Sequence, residues 1–490
     1  MIPLSLAEVA AAVDGSLADA DPDARVTGAA SLDSRAVPDG GLFVAMAGER
    51  VDGHGYAAQA VEAGAAAVLG TRATGVPTVV VDDVPTALGR LARHLLDKLP
   101  GLTVLALTGS QGKTSTKDLL AQVLATHGPT VATVGNHNNE LGVPLTVLRA
   151  EAETAYLVLE MGARGIGHLA YLCTFARPRV AAVLNVGTAH LGEFGTRNDI
   201  ARAKGELVEA LPADGVAVLN ADDPLVAAMA TRTRAAVRRF GTGADADLQL
   251  RAVETDDLGR ARFELVERDE ARETVTPVAL RTLGAHQAVN AAAAATLARA
   301  VGMPLPAIGA ALSQAGAASR WRMELTEVAG VAVLNDAYNA NPESMRAALA
   351  TLVGIGARTG RRTVAVLGMM GELGRGSEAA HEALGRHAIE SGVERLVVVG
   401  DVAAGIGRGA AAVPGGRERT VLVGDREQAL SWMRENVAAP DVVLVKASRG
   451  AALEVVADGL VEHLSAPPQS APHLSAMARS SECVVPEENR

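Results

Sequence analysis

Residues 102–117 read LTVLALTGSQGKTSTK. A run of Leu, Val and Thr over residues 102–108 meets two glycines, Gly109 and Gly112, and then Lys113 and Thr114. Residues 115–126 continue with helical periodicity and stop at His127-Gly128. A strand that turns through glycines into a helix gathers backbone N–H groups in one concavity. With the helix dipole and one lysine, that concavity suits a nucleotide polyphosphate. Thr108, Gly109, Ser110, Gln111 and Gly112 form the turn, Lys113 reaches the β- and γ-phosphates, and Thr114 reaches a magnesium ion. The full motif opens with a glycine where this chain has Leu107, so the match is GxxGKT. The strand before it and the helix after it supply the context a bare GKT lacks.

Such a turn belongs in an α/β sheet, and residues 101–316 alternate strand and helix patterns as a mostly parallel sheet requires. Ligands of these sheets bind beyond the carboxyl ends of the strands, and the polar residues collect there. The strand at 131–134 runs into Gly135-Asn136-His137-Asn138-Asn139, and the one at 155–159 ends on Glu160. The strand at 180–184 runs into Asn185 and then Gly187-Thr188-Ala189-His190, and the one at 216–219 ends on Asn220-Ala221-Asp222-Asp223-Pro224. Packing alone does not account for four such ends beside a phosphate loop. Glu160 is a candidate magnesium ligand. Taken singly, His190 also reads as a hydrogen-bonded loop histidine, Lys204 as a surface helix lysine and Asn290 as a helix cap.

Residues 1–100 read as a small α/β domain, with a helix at 6–13, strands near 42–45, 66–69 and 78–81, and two polar turns, Asp33-Ser34-Arg35 and residues 48–56. A break at 315–322 opens a third unit with strands near 331–334, 363–367, 396–399, 421–423 and 442–445, a Rossmann-like layout without a GxGxxG turn. Its polar strand ends are NDAYNANP (335–342), GMMGELG (368–374) and KASRG (446–450). The expected fold class is α/β in three domains: a small N-terminal domain (1–100), a central doubly wound parallel-sheet ATPase domain (101–316) and a C-terminal Rossmann-like domain (317–464). The Pro- and Ser-rich tail, 465–490, is expected to be disordered.

The 490 residues fit about three domains of about 150 residues. A formal charge of −11 argues against nucleic acid, which needs a basic face. No apolar run reaches the about 18 residues of a membrane span. The first residues lack the basic stretch and apolar core of a signal peptide, and Cys173 and Cys483 make no disulfide framework, so the cytoplasm is the expected compartment; a monomer is expected, although nothing in these residues bears on oligomeric state. Only five lysines occur (Lys98, Lys113, Lys117, Lys204, Lys446), with Arg supplying the other cations. Aromatics are 2% of the chain, which leaves Ala, Val and Leu to fill the cores.

These features describe an ATP–magnesium site flanked by two α/β domains. Transfer of the γ-phosphate to a carboxylate would give an acyl phosphate open to attack by an amine, inside a cleft closed to water. The motifs alone do not separate that from a kinase or a simple ATPase.

Across residues 25–460 the loops are similar to those of the Mur ligase family, ATP-dependent enzymes that add amino acids to the UDP-linked peptidoglycan precursor. TGSQGKT (108–114), GNHNNELGVPLTVL (135–148), EMGARGIGHL (160–169), NVGTAHLGEFG (185–195) and NADDP (220–224) resemble its central domain. NDAYNANPESM (335–345) and GMMGELG resemble most the member that joins D-Ala-D-Ala to UDP-MurNAc-tripeptide, which implies those two substrates and ATP, and UDP-MurNAc-pentapeptide, ADP and phosphate as products. The resemblance implies that Thr114, Glu160 and His190 hold magnesium. It implies also that Lys204 is carbamylated, turning a cation that would repel metal into an anion that helps hold a second magnesium. By the same resemblance Asn290 holds the adenine, and Ser34 and Arg35 receive the UDP-precursor. Asp336 and Asn339 approach the nucleotide after closure, and Arg320 or Arg322 is the domain-linking arginine. Lys446, Ser448 and Arg449 lie where the dipeptide is received. Within the family, the ligase for the third, diamino residue would carry a DNPR-like motif, which this chain lacks. Folylpolyglutamate synthetase shares the central layout but has no place for the first domain. A non-catalytic ATP-binding regulator or a P-loop kinase is the reading from another class.

Overall fold

Strands buried on both faces need continuous apolar runs rather than alternation, and the central segments have them. In the computed structural model, which describes residues 1–48, 51–187, 194–268 and 272–466, the strand Thr103–Thr108 lies inside a nine-stranded sheet between Val180–Val183 and Tyr156–Glu160. The parallel part continues through Val216–Asn220, Ala236–Gly241 and Leu248–Thr255 on one side and Thr130–Ala132 on the other. Successive residues of Thr103–Thr108 serve opposite faces. Val104 and Ala106 join a core shared with the N-terminal helix Val84–Asp97, whereas Leu105 and Leu107 pack under the helices Lys113–Ala125 and Gln287–Ala300. The second helix buries Ala291 through Ala295 completely. Small side chains let it lie close to its neighbours, which is how a chain poor in aromatics fills its core.

The sheet is not wholly parallel. Arg260–Arg268 and Glu273–Leu283 extend it antiparallel beyond Leu248–Thr255, a hairpin the alternating strand–helix expectation did not contain. In Glu273–Leu283 every second residue from Thr276 to Leu280 is buried, the pattern of a strand with one solvated face.

The first residues form a five-stranded sheet in the order Ser16–Ala18, Thr78–Val80, Ala67–Gly70, Leu42–Val44 and Ala30–Ser31, together with a small antiparallel pair. Helix Leu6–Val13 is closed at its start by a reciprocal Ser5–Glu8 capping box, a device that satisfies two orphan backbone donors. The C-terminal sheet runs Glu324–Val328, Val331–Asn335, Val442–Lys446, Thr363–Leu367, Arg395–Val399 and Thr420–Val423, parallel except for its first strand. That edge strand is again absent from the sequence reading. Helix Pro342–Thr359 of this unit meets the central hairpin at Gly259, where an added Cβ would stand 3.2 Å from Thr351 Cγ2. Strand-end residues of the central and C-terminal sheets line one cleft. Among the described residues no helix is long and apolar enough to cross a membrane. His190, Cys483 and the tail beyond residue 466 lie outside the described residues.

Candidate functional site

The phosphate loop leaves the carboxyl end of Thr103–Thr108, and its helix begins at Lys113. Gly112 has φ +77°, and a Cβ there would stand 2.4 Å from Asn290 Oδ1, so both backbone and space require glycine. Leu107, where the full motif has glycine, is a fully buried strand residue. Thr116 N–H is bonded to Gly112 O at 2.9 Å, so the amides just before it form the open N-terminal turn, where an anion is favoured. Ser110 and Gln111 N–H both donate to Asn185 Oδ1 at 3.0 Å. Lys113 Nζ donates to Gly109 O at 2.8 Å, folded back over the loop. Burial pushes its amine down, Glu160 raises it, and Arg322 lowers it further.

Below the loop, Thr114 Oγ1 donates to Glu160 Oε2 at 2.7 Å, and Asn138 Nδ2 donates to Glu160 Oε1 at 2.8 Å. Glu160 is 2% exposed and sits on the adjacent strand opposite Leu107. No ion pair to a described residue balances this carboxylate. A buried carboxylate beside a hydroxyl, both hard oxygen donors, fits a magnesium ion. Among the described residues no group of three or more His, Cys, Asp or Glu side chains could hold a metal. A complete set therefore needs donors of other kinds, or His190.

Lys204 projects from helix Arg197–Glu209 and is 3% exposed. It makes no hydrogen bond or ion pair with any described residue. Burial first, and the charge of Lys113 second, hold its amine well below the ordinary lysine range. This burial excludes the reading of the residue taken singly, a solvated surface lysine. Ile200, Ala203, Leu207 and Val208 share its buried face. Two residues on, Glu206 accepts from Ala170 N–H at 3.1 Å and from Gly167 N–H, bracing this helix against the start of helix His168–Ala176.

The cleft above these residues encloses about 510 Å³ and is lined from both sheets. The central domain contributes Ser110 to Ser115, Asn138, Glu160, Lys204, Gln287 and Asn290; the C-terminal domain contributes Arg322, Asp336, Tyr338, Asn339, Glu372 and Lys446. Asn290 Nδ2 donates to Gln287 Oε1 at 2.8 Å. Lys446 Nζ pairs with Asp336 Oδ2 at 2.6 Å and donates to Asn339 O at 2.7 Å. His286 also lines the cleft, and burial lowers its pKa.

The two candidate arginines separate cleanly. Arg322 lies in the cleft with its guanidinium 4.3 Å from the Tyr338 ring centroid, whereas Arg320 is 69% exposed and stacks outside on Trp321. Trp321 and Met323 on either side of Arg322 adopt φ +59° and +51°, backbone strain that turns Arg322 inward. Ser448 and Arg449 flank the cleft without lining it. Ser448 Oγ accepts from Gly371 N–H at 2.8 Å, and Arg449 stacks on Trp321 and pairs with Glu454. Ser34 and Arg35 sit apart in the N-terminal domain, where Ser34 is buried and donates to Gln59, and Arg35 pairs with Asp33 at 2.9 Å. Asn138, Asn185, Tyr338 and Glu372 were not singled out as site residues, although each stands in a polar strand-end run visible in the sequence.

Comparison with known proteins agrees with this layout. Three family models match: "Mur ligase family, catalytic domain" at residues 29–95, "Mur ligase middle domain" at 107–298, and "Mur ligase, glutamate ligase domain" at 321–449. The chain is 46% identical to the UDP-N-acetylmuramoyl-tripeptide–D-alanyl-D-alanine ligase of Mycobacterium tuberculosis, covering 94% of this chain and 98% of that one. It is 35% identical to the Escherichia coli enzyme of the same name, over 94% and 99% of the two chains. Among solved structures, MurF from Acinetobacter baumannii superposes with a TM-score of 0.82 at 32% identity, over 94% and 99% of the chains. MurF ligase from Thermotoga maritima in complex with ADP gives 0.76 at 31% identity, over 90% and 98%.

Proposed function

The chain belongs to the Mur ligase family, and we propose that it joins D-alanyl-D-alanine to UDP-MurNAc-tripeptide at the expense of ATP, giving UDP-MurNAc-pentapeptide, ADP and phosphate. One observation carries the reading. The lysine and hydroxyl–carboxylate pair of a phosphate loop face the strand-end loops of a second sheet across one cleft, so that a phosphoryl donor and an incoming amine have separate walls.

ATP lies with its phosphates on the turn from Thr108 to Thr114, and Asn290 marks the side of the base. Lys113 leaves Gly109 O and turns onto the phosphoryl oxygens, neutralising charge as the γ-phosphate passes to the terminal carboxylate of the tripeptide. Thr114, Glu160, His190 and a carbamylated Lys204 are the residues that would hold magnesium, two ions in all, whose chemistry there is to screen the phosphate charge. Carbamylation suits Lys204 because only the unprotonated amine attacks carbon dioxide, and this amine is buried and held well below its ordinary range. The product carbamate is an anion beside Lys113, which replaces a repulsion by an attraction. Arg322, Asp336 and Asn339 close over the nucleotide from the C-terminal domain. Lys446, Ser448 and Arg449 stand on the side of the dipeptide, and Ser34 and Arg35 receive the diphosphate of the precursor, to which an arginine fork is matched. Closure excludes water, which would otherwise hydrolyse the acyl phosphate. The same reading places the reaction in the cytoplasm, where ATP is available.

The test is product mass. Purified protein given ATP, magnesium, each UDP-linked precursor and candidate amino acids or dipeptides forms the pentapeptide only with the tripeptide and D-Ala-D-Ala. A phosphorylated product, or joining of a diamino acid in place of the dipeptide, overturns the reading.

A further inference from the structure

The nucleophile of this reaction reaches the cleft as an ammonium ion and must lose its charge before it can attack. Among the cleft-lining residues are the cations Lys113, Arg164, Arg322 and Lys446, against the carboxylates Glu160, Asp336 and Glu372. Glu160 has one oxygen on Thr114 and the other on Asn138, deep beside the phosphate loop. Asp336 has one oxygen on Lys446 and the other on Met323 N–H. An ammonium at either would break a buried arrangement. Glu372 differs in position: it is exposed, on a C-terminal loop that lines the cleft.

That loop is clamped at two successive amides. Met370 N–H donates to His381 Nε2 at 2.9 Å, and His381, 1% exposed, bonds through Nδ1 to Ser377 O at 2.7 Å. Gly371 N–H donates to Ser448 Oγ, which itself donates to Ala340 O at 3.2 Å. The next residue, Glu372, is held at φ +60°, a left-handed conformation that non-glycine residues rarely adopt and that points to a constraint on where the carboxylate stands. Glu372 also lies within the electrostatic reach of Lys113 and raises its pKa. It lines the same cleft as Lys113, the lysine assigned above to the phosphoryl oxygens.

We propose that Glu372 is the catalytic residue that receives the ammonium of the incoming dipeptide and takes its proton as the amine attacks the acyl phosphate. This rests on the ligase reading above. The dipeptide ammonium gives one proton to the Glu372 carboxylate, and the freed nitrogen lone pair forms the C–N bond at the acyl carbon. The C–O bond to phosphate breaks, the phosphate leaves with the electron pair, and it takes the second nitrogen proton. Glu372 returns its proton to solvent when the product departs. Ser448 and His381 are positioning residues that act through the loop amides.

Hydroxylamine separates this role from the ligase reading, because at neutral pH it is largely uncharged and traps an acyl phosphate without needing a base. Wild-type protein with ATP, magnesium and UDP-MurNAc-tripeptide gives the hydroxamate, and with D-Ala-D-Ala it gives the pentapeptide. For Glu372→Gln the expected result is pentapeptide formation lowered about a hundredfold or more, the usual scale of a lost general base. Hydroxamate formation stays within a few-fold of wild type, with an unchanged melting temperature. Glu372→Asp, which restores a carboxylate, is intermediate. Equal loss of both products would assign Glu372 to phosphoryl transfer and overturn the proposal, as would a wild-type rate of pentapeptide formation in Glu372→Gln. Wild-type protein that forms neither product would instead overturn the ligase reading itself.

Discussion

Replacing Lys204 by Met separates what this side chain does for the fold from what it does for the reaction. Lys204 is 3% exposed and has no described partner, and methionine fills nearly the same volume without a charge. Burial and Lys113 hold the folded-state pKa of Lys204 below its unfolded value. The unfolded chain therefore binds more protons, and stability rises with pH from the lowered value up to the ordinary 10.5. Removing the amine removes that slope. In buffer freed of carbon dioxide, Lys204→Met should be the more stable protein on the acid side, with the advantage shrinking towards the ordinary lysine pKa. An unpartnered buried charge costs up to several kcal/mol. A gain of about 1 kcal/mol would raise the melting temperature by about 2–4 °C for a domain of this size. Bicarbonate should reverse the order, because a carbamate forms only on the wild type: at one hundred times its dissociation constant a ligand stabilises by about 2.7 kcal/mol. Ligase activity should fall about a hundredfold or more in Lys204→Met. In Lys204→Ala it should return in part with added formate or acetate. Melting curves against pH, with and without bicarbonate, read the first effects and pentapeptide formation the last. A variant markedly less stable than wild type at every pH, or one fully active unaided, would refute the reasoning.

Other substitutions test other parts of the cleft. Glu160→Ala should raise the magnesium requirement and lower kcat about a hundredfold or more, and near-normal turnover at low magnesium would remove Glu160 from the metal site. Gly112→Ala combines a left-handed backbone cost of about 1–2 kcal/mol with a methyl 2.4 Å from Asn290 Oδ1. ATP binding measured by calorimetry should weaken at least about tenfold. Arg322→Ala should impair turnover about tenfold or more while Arg320→Ala stays within about twofold, given that a desolvated cation–π contact alone is worth about 2 kcal/mol; steady-state kinetics on the pair decides it. Arg35→Ala should raise KM for the UDP-linked precursor and leave that for the dipeptide unchanged.

Much of this was legible in the chain because its signals are local. The phosphate turn needs only a strand, two glycines and a lysine in order, and Leu107 in place of the first glycine cost nothing because it is an ordinary buried strand residue. The polar ends of apolar strands mark Glu160 as a metal candidate, since in a parallel sheet all strand ends reach one edge, whereas Asn185 stands in such a run without being singled out and the role of Asp336 comes from the family resemblance alone. The hairpin Arg260–Arg268 and Glu273–Leu283 departs from the strand–helix alternation around it, and its own alternation of buried and exposed residues is the signal of a strand with one solvated face. Lys204 was misread one residue at a time; with Ile200, Leu207 and Val208 it falls on a single helical face, spacing that marks burial. Arg320 and Arg322 have the same local context in the sequence, and what tells them apart is tertiary: Arg322 lines the cleft against Tyr338, whereas Arg320 is exposed. The clamp of Met370 by His381 and of Gly371 by Ser448 joins residues up to 77 positions apart, and no spacing rule reaches that far.

The central claim is that a carboxyl group of the precursor is phosphorylated before the dipeptide displaces phosphate. The direct measurement uses UDP-MurNAc-tripeptide with heavy oxygen in its terminal carboxylate, converted in unlabelled water with ATP, magnesium and D-Ala-D-Ala. Mass analysis of the released phosphate should find one heavy oxygen per molecule, carried over when the C–O bond of the acyl phosphate breaks. Pentapeptide formed together with unlabelled phosphate would contradict the account.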